Sequence, residues 1–319
     1  MASLHHTPPL CIILNPNADK GRAGRKQKKI EALCKTYGLS YTILLTKKPL
    51  DAINLAKQAV LDGYSTIVAA GGDGTVNEVA DGVVRGIRER KLSYARSPVV
   101  GLIPIGRGND FAYSAHVPRS IEKAVELISM EMWNATDYGE LIGGRYESGR
   151  CFLNGVGIGF EPLVNFMASD FKRIHGMASY LAGFIKVMMN YPKAISVKMV
   201  LDSSDTIEIE TQQLSFCNGR RMGSMFIMGP QASIDDGLID VVYANRPLKG
   251  REIVRLALRF FKGTQLRSAE FSMKRAQSVT ITTADNSIVC HADGEEVSRG
   301  CDQIEVRLFP GELKFLRNI

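Results

Sequence analysis

TIVAAGGDGTVNEVADGVV, residues 66–84, carries two periodicities on either side of a glycine turn. Thr66–Ala70 is a short β-branched and apolar run, the pattern of a strand covered on both faces. Val76, Val79, Ala80, Val83, Val84 and Ile87 then recur at i, i+3, i+4, i+7, i+8 and i+11, the stripe of an amphipathic helix. The segment reads as strand, glycine turn, helix. Glycines there permit positive φ or close approach to the backbone. The N–H groups of the helix start, with the dipole behind them, suit a phosphate. Asp73 opposes a bare phosphate, so it fits this reading if a cation lies between them or if it takes a proton from an attacking hydroxyl. A plain βα turn with Asp73 capping the helix competes, and GGDGT alone does not separate the two.

Outward from this stretch, the first 130 residues alternate. Strand-like runs at 10–14, 40–45, 66–70 and 98–103 interleave with helical patterns at 24–37, 51–62 and 75–90, and Ser120 is the N-cap of a further helix at 120–130. This predicts a doubly wound, mostly parallel α/β sheet with ligands at the carboxyl ends of its strands. Three loops fall at such ends: NPNADKG (15–21), GGDGT (71–75) and PIGRGND (104–110). Three loops on one crevice say more than any one alone.

From about residue 135 short alternating runs recur, at 150–156, 195–201, 207–216, 238–243, 270–275, 278–283, 287–291 and 303–309. Turn residues separate them, the pattern of an antiparallel β-sandwich. Helical patterns interrupt it at 175–191 and 247–261. The first is rich in Met and aromatics, which suits core packing or one wall of an acyl-chain groove. The second has an apolar face of Ile253, Val254, Leu256, Ala257 and Phe260.

The 319 residues carry 40 Lys+Arg against 33 Asp+Glu, a net charge of +7. That balance suits an anionic membrane surface or a nucleotide. No aromatic-interleaved basic stripe or nucleic-acid motif accompanies it, so nucleic acid is not an expected partner. The basic run KGRAGRKQKK (20–29) reads as a solvated helix start. The six cysteines (11, 34, 151, 217, 290 and 301) are widely scattered, against zinc or disulfides and for reduced thiols in a cytoplasmic protein. No apolar run approaches a bilayer-spanning length, MASLHHTPPL has no signal-peptide core, and His5 and His6 read as tail.

The motifs taken together resemble the diacylglycerol kinase catalytic-domain family, particularly its soluble bacterial lipid kinases, which are related to sphingosine and ceramide kinases. The resemblance rests on NPNADKG, AAGGDGTVNEV (69–79), IPIGRGNDFA (103–112), TDYGEL (136–141), FLNGVGIGF (152–160), NGRRMGSMFIMGPQASIDDGLIDVV (218–242), ADGE (292–295) and LFPGELKFL (308–316). It implies an ATP- and Mg²⁺-dependent kinase acting on a lipid hydroxyl, peripheral at the membrane. Its first domain would be related to NAD kinases and phosphofructokinases, over 1–133 with 307–319 returning, and its second a β-sandwich over 134–306. Carried over by motif, Asn15, Gly71, Gly72, Gly74 and Thr75 contact the nucleotide, and Thr46, Gly106 and Asn109 line the same pocket. Asp73 serves Mg²⁺·ATP and the acceptor hydroxyl, and Asp293 and Glu295 are catalytic acids. Asp236, the Leu238 carbonyl and Asp235 resemble a second, structural metal site.

Two departures stand out. The family's third loop reads GTxND, whereas this chain has Arg107 at the second position; its guanidinium either clamps phosphate or points to solvent. The first loop carries NADKG where Ser-Gly is usual. ADGE also reads as an ordinary hairpin turn and DDG as a common turn tripeptide. The alternatives are a kinase of the same superfamily acting on NAD or another non-lipid acceptor, and a non-catalytic nucleotide- or lipid-binding regulator. GRGNDFA and DDGL argue against the first, and the retained acids Asp73, Asp293 and Glu295 against the second. A homodimer is compatible with the sequence.

Overall fold

The computed structural model describes residues 10–170, 183, 186–187, 193–223 and 225–318. His5, His6 and, apart from three positions, the helical pattern at 175–191 lie outside the described residues. The chain divides into two units, Met1–Thr136 with Gly311–Ile319, and Asp137–Pro310.

In the first unit, strands and helices alternate: β1 (Leu10–Leu14), α1 (Gln27–Thr36), β2 (Tyr41–Leu45), α2 (Asp51–Leu61), β3 (Thr66–Gly71), α3 (Asp73–Arg90), β4 (Val99–Pro104), α4 (Asp110–Ser114) and α5 (Ile121–Ser129). The strands lie in the order β2-β1-β3-β4, all parallel, with Leu10 opposite both Tyr41 and Thr66 and with Thr66 opposite Val99. The end of β18 (Gln303–Leu316) adds a parallel strand, Lys314 opposite Val99. Leu10, Ile12 and Leu14 meet Ile30 and Cys34 of α1 and Val125 and Ile128 of α5. Cys11 and Ile13, also wholly buried, take the opposite face of the pleat. Burial on both faces explains why LCIIL has no polar alternation. Each fully buried Ile or Leu contributes about 1.5–3 kcal/mol.

Helices α2 and α3 approach closely because α3 carries glycines where they touch. A Cβ on Gly82 would lie 2.8 Å from the Ala56 Cβ, and one on Gly86 would lie 2.7 Å from the Val60 Cβ. Glu78 fixes the same pair, accepting the Leu50 N–H at 3.1 Å and the Ala52 N–H at 3.2 Å at the start of α2. That carboxylate relieves two of the donors every helix start leaves unpaired.

The second unit is a two-sheet sandwich. One sheet contains β5 (Trp133–Gly143), β6 (Tyr146–Phe152), β8 (Ile195–Leu201), β9 (Asp205–Thr211), β15 (Ser278–Thr282) and the start of β18. The other runs β14 (Phe271–Ala276), β13 (Ile239–Ala244), β10 (Gln213–Cys217), β7 (Gly155–Gly159), β16 (Val289–Ala292) and β17 (Glu295–Arg299), antiparallel throughout. Phe152, Met199, Val279, Ile281 and Ile304 of the first sheet pack on Val156, Ile158, Leu214, Phe216 and Val241 of the second. The second unit also holds a short ribbon, β11 (Arg221–Met222) with β12 (Phe226–Ile227), and two helices, α6 (Phe160–Asp170) and α7 (Gly250–Lys262). In α7, Leu256 and Phe260 turn inward, whereas Leu258 is 64% exposed.

The structure divides two of the expected runs. The 150–156 run breaks at Leu153–Asn154 into β6 and β7, and the 207–216 run breaks at Gln212 into β9 and β10. At Leu153–Asn154 the residues on either side, Cys151, Phe152, Gly155 and Val156, carry no polar break, whereas Gln212 is a single bend between Thr211 and Gln213 that leaves the run of strand-like residues uninterrupted. β5 escaped the sequence pattern because Gly139, where a strand side chain is expected, leaves room for the Phe152 ring. All six cysteines are free thiols and five are buried. Burial pushes Cys11 up to about 12 and Cys34 up to about 11, so neither is a ready nucleophile. No described helix is long and apolar enough to cross a membrane.

Candidate active site

The three glycine loops of the first unit are interlocked through their backbones. The Asn15 N–H donates to the Ala70 carbonyl at 3.0 Å, and the Asn15 side-chain amide donates to Thr75 Oγ1 at 3.2 Å, joining the first loop to the second. The N–H groups of Ile105 and Gly106 both donate to the Gly71 carbonyl, at 2.8 and 3.0 Å, joining the third loop to the second. Here glycine is required. A Cβ on Gly72 would lie 3.2 Å from the Gly106 Cα, and a Cβ on Gly106 would run into the Gly72 Cα. Gly71 has no room either, because Thr75 fills the space where its side chain would go.

Gly74 and Thr75 lie in the first turn of α3, and Thr46 is buried at the end of β2, its N–H donating to Leu14 at 3.0 Å. Asn109 takes the left-handed conformation, φ 55°, and its side-chain N–H donates to the Gly106 carbonyl at 3.0 Å. Its Oδ1 is buried and has no partner among the described residues. The same holds for both polar side-chain atoms of Asn77, one turn into α3. Arg107 is exposed. Thus Asn15, Gly71, Gly72, Thr75, Gly106 and Asn109 come together.

Asp73 does not cap its own helix. The N-cap is Gly72, with no side-chain bond, and Asp73 Oδ1 instead accepts the Phe111 N–H at 3.0 Å, in the first turn of α4. Burial raises the Asp73 carboxyl above the ordinary carboxylate range, and the N–H groups of Phe111, Asp110 and Asn109 oppose that shift without cancelling it.

In the second unit, ADGE forms the turn between β16 and β17. Asp293 and Gly294 both have positive φ, 47° and 84°, as a two-residue type I′ hairpin needs. Asp293 is engaged: its Oδ2 accepts the Leu153 N–H at 2.6 Å, and its Oδ1 accepts the N–H groups of Asn154 and Gly155, both at 2.9 Å. It therefore clasps the FLNG turn to the ADGE turn. Glu295, partly exposed, accepts from Arg150 Nη2 at 2.8 Å, and Arg150 is itself wholly buried. Its guanidinium lies 5.8 Å from the centre of the Tyr146 ring. Sequence reasoning missed Arg150, although a cation in register with Phe152 on a core strand is a signal it offered.

Buried His291 and part-buried Glu161 form a second pair, bonded through His291 Nε2. Burial opposes a charge on His291, but the Glu161 charge and hydrogen bond, with Asp293, outweigh it and leave the ring above its ordinary pKa. The Gly294 N–H points at Nδ1 at 3.0 Å, so in this geometry Nδ1 is an acceptor and Nε2 is the nitrogen that donates to Glu161.

The DDGL turn is water-exposed. Asp235 Oδ1 accepts the Ser233 hydroxyl at 2.5 Å, Asp236 Oδ1 accepts the Leu238 N–H at 3.1 Å, and Asp137 Oδ2 accepts the Gly237 N–H at 2.8 Å. Among the described residues no three His, Cys, Asp or Glu side chains converge as a metal cage. The all-oxygen donor set of Asp235, Asp236 and the Leu238 carbonyl suits a Mg²⁺ that keeps several waters.

Comparison with known proteins accords with these features. Residues 9–141 match the diacylglycerol kinase catalytic domain, and residues 154–317 match the YegS C-terminal NAD kinase β-sandwich-like domain. The chain is 32% identical over 206 residues to a Pseudomonas aeruginosa protein named "Probable lipid kinase YegS-like", a match spanning 64% of this chain and 62% of that protein. It is 26% identical to the diacylglycerol kinase of Mycobacterium tuberculosis over 98% of this chain and 96% of that one. Among solved structures, a diacylglycerol kinase from Bacillus anthracis superposes with a TM-score of 0.71 at 22% identity, covering 98% of this chain and 97% of that one. Yeast NADH kinase shares the fold at a TM-score of 0.51 and 11% identity, over 97% of this chain and 83% of that one. The chain belongs to the family of the YegS C-terminal NAD kinase β-sandwich-like domain, and ahead of that domain it matches the diacylglycerol kinase catalytic domain.

Proposed function

We propose that this protein transfers the γ-phosphoryl group of ATP to the hydroxyl of diacylglycerol or a related lipid. The observation that carries the reading is the interlock of three glycine loops at the carboxyl ends of β1, β3 and β4, with Gly72 and Gly106 in backbone contact. Backbone N–H groups of such loops cradle phosphates at no reorganisation cost. Buried polar atoms of Asn77 and Asn109 have no hydrogen-bond partner among the described residues, bonding capacity that an adjustment on nucleotide binding would use.

Phosphoryl transfer asks the protein for alignment, charge stabilisation and a proton acceptor. The lipid hydroxyl oxygen bonds to the γ-phosphorus, the bond to the β–γ bridging oxygen breaks, and ADP leaves. The hydroxyl proton passes to a carboxylate. Glu295 suits that role, since one of its oxygens is held by Arg150 and the side chain remains partly exposed. Asp293, with both oxygens on backbone N–H groups, serves by holding the turn. Asp73 steadies the nucleotide loops and would hold the Mg²⁺ that accompanies ATP. Asp235, Asp236 and the Leu238 carbonyl would hold a further, structural Mg²⁺. Bound to the phosphates, Mg²⁺ neutralises charge that builds during transfer.

Arg107, exposed beside Gly106, is free to reach phosphate oxygens. The net charge of +7 supports peripheral contact with an anionic membrane surface, where the lipid resides. Radiolabelled ATP offered with diacylglycerol micelles and, separately, with NAD tests the reading. Label should enter the lipid; label in NAD alone would overturn it.

A further inference from the structure

Next to the ADGE turn is a polar pair that belongs to none of the glycine loops. His291 stands on β16 two residues before Asp293 and is wholly buried; Glu161 stands in the first turn of α6. The register sets His291 opposite Gly157 of β7, where no side chain projects. A Cβ on Gly157 would lie 2.9 Å from His291 Nε2 and would collide with the Glu161 carboxylate. The carboxylate occupies the space the glycine leaves and bonds Nε2. On the other side of the ring, Nδ1 accepts the Gly294 N–H at 3.0 Å. The Glu161 N–H is in turn held by Gln213 Oε1 at 3.2 Å.

A neutral imidazole has one N–H and one lone pair. The Gly294 N–H requires the lone pair on Nδ1, so the ring proton is on Nε2, donated to Glu161. We propose that Glu161 and His291 are a positioning pair: Glu161 fixes the tautomer of His291, and His291 thereby holds the Asp293–Gly294 turn that presents Glu295 for proton transfer. The proposal rests on the reading of Glu295 as proton acceptor. Core packing alone does not call for this arrangement, since a buried carboxylate carries a desolvation penalty that an apolar pair of similar volume avoids. What an apolar pair would not supply is an acceptor for the Gly294 N–H.

Glu161→Gln keeps the size but offers an amide donor to Nε2, which lets the ring proton move to Nδ1 and expels the Gly294 N–H. A displaced turn should lower kcat about tenfold to a hundredfold, the scale of a misplacement of about 1 Å, while the KM for ATP changes little. His291→Asn, whose amide oxygen can stand near the Nδ1 position, should keep more kcat than His291→Leu. Histidine-labelled ¹⁵N spectra of the wild type should show His291 with Nε2 protonated and Nδ1 unprotonated, and Glu161→Gln should shift the Gly294 amide resonance. A wild-type His291 protonated on Nδ1, or a Gly294 resonance and kcat unmoved by Glu161→Gln, would overturn the pair. Full activity in Glu295→Gln, with the tautomer result intact, would overturn the catalytic half alone.

Discussion

Asp73 Oδ1 accepts the Phe111 N–H at 3.0 Å, so the acid of the second glycine loop closes over the start of the helix that follows the third. The carboxylate is half-buried there, and burial raises its affinity for a proton against the pull of the surrounding N–H groups. The unfolded chain ionises first, near the ordinary Asp value of about 3.9. Between that value and the raised one the folded state binds more protons, so the Asp73 contribution to stability falls as pH rises through the window. Asn does not titrate and still accepts the Phe111 N–H. Ligand-free Asp73→Asn should therefore gain in melting temperature relative to wild type as pH goes from about 3.9 to neutrality. Melting curves at several pH values check it; a gap that closes with rising pH would contradict it.

Gly106→Ala should separate the second and third loops. Its methyl group meets the Gly72 backbone, which has no flexible side chain to yield. Overpacking of this kind costs about 1–3 kcal/mol, and the KM for ATP should rise more than kcat falls. Gly63→Ala is the control. Its φ of 87° strains any L residue, but nothing lies within 4 Å of the new Cβ, so it should lower the melting temperature and leave the KM for ATP unchanged.

Asp236→Ala should reduce the Mg²⁺-dependence of melting more than it affects nucleotide binding. Metal held only by the folded state stabilises it by mass action, and the DDGL turn belongs to the second unit. Thermal shift with and without Mg²⁺ measures it. An unchanged Mg²⁺ response in the variant would count against this site.

Binding to anionic liposomes should weaken between low and high salt, because attraction between exposed charges is screened. Cosedimentation with anionic and with zwitterionic vesicles measures it. Binding indifferent to both salt and headgroup would contradict an electrostatic contact.

The α/β half was legible because its strands are buried on both faces and its helices are striped, so two periods alternate along the chain. Thr66–Gly71 followed by Asp73–Arg90 appears nearly as the pattern predicts. The sandwich was legible in kind but less so in its breaks: Gly139 and the Leu153–Asn154 turn are set by packing across the sheet, which no local period records. The loop residues came from motif order. Their partners did not, because Arg150 on Glu295 and Glu161 on His291 are separated by 145 and 130 residues. The role of Asp73 was half legible. That it is a carboxylate at a helix start was plain, but that it reaches across to Phe111 depends on how two loops approach each other.

Turnover of Asp73→Asn, measured beside its ligand-free melting, tests the central claim most directly. If Asp73 serves Mg²⁺·ATP and phosphoryl transfer, the variant should melt at or above the wild-type temperature near neutral pH and lose about 10²–10⁴-fold in lipid phosphorylation. A variant that folds as well and keeps more than about a tenth of wild-type turnover, far above that expected range, would show that the acid of GGDGT only ties the loops together.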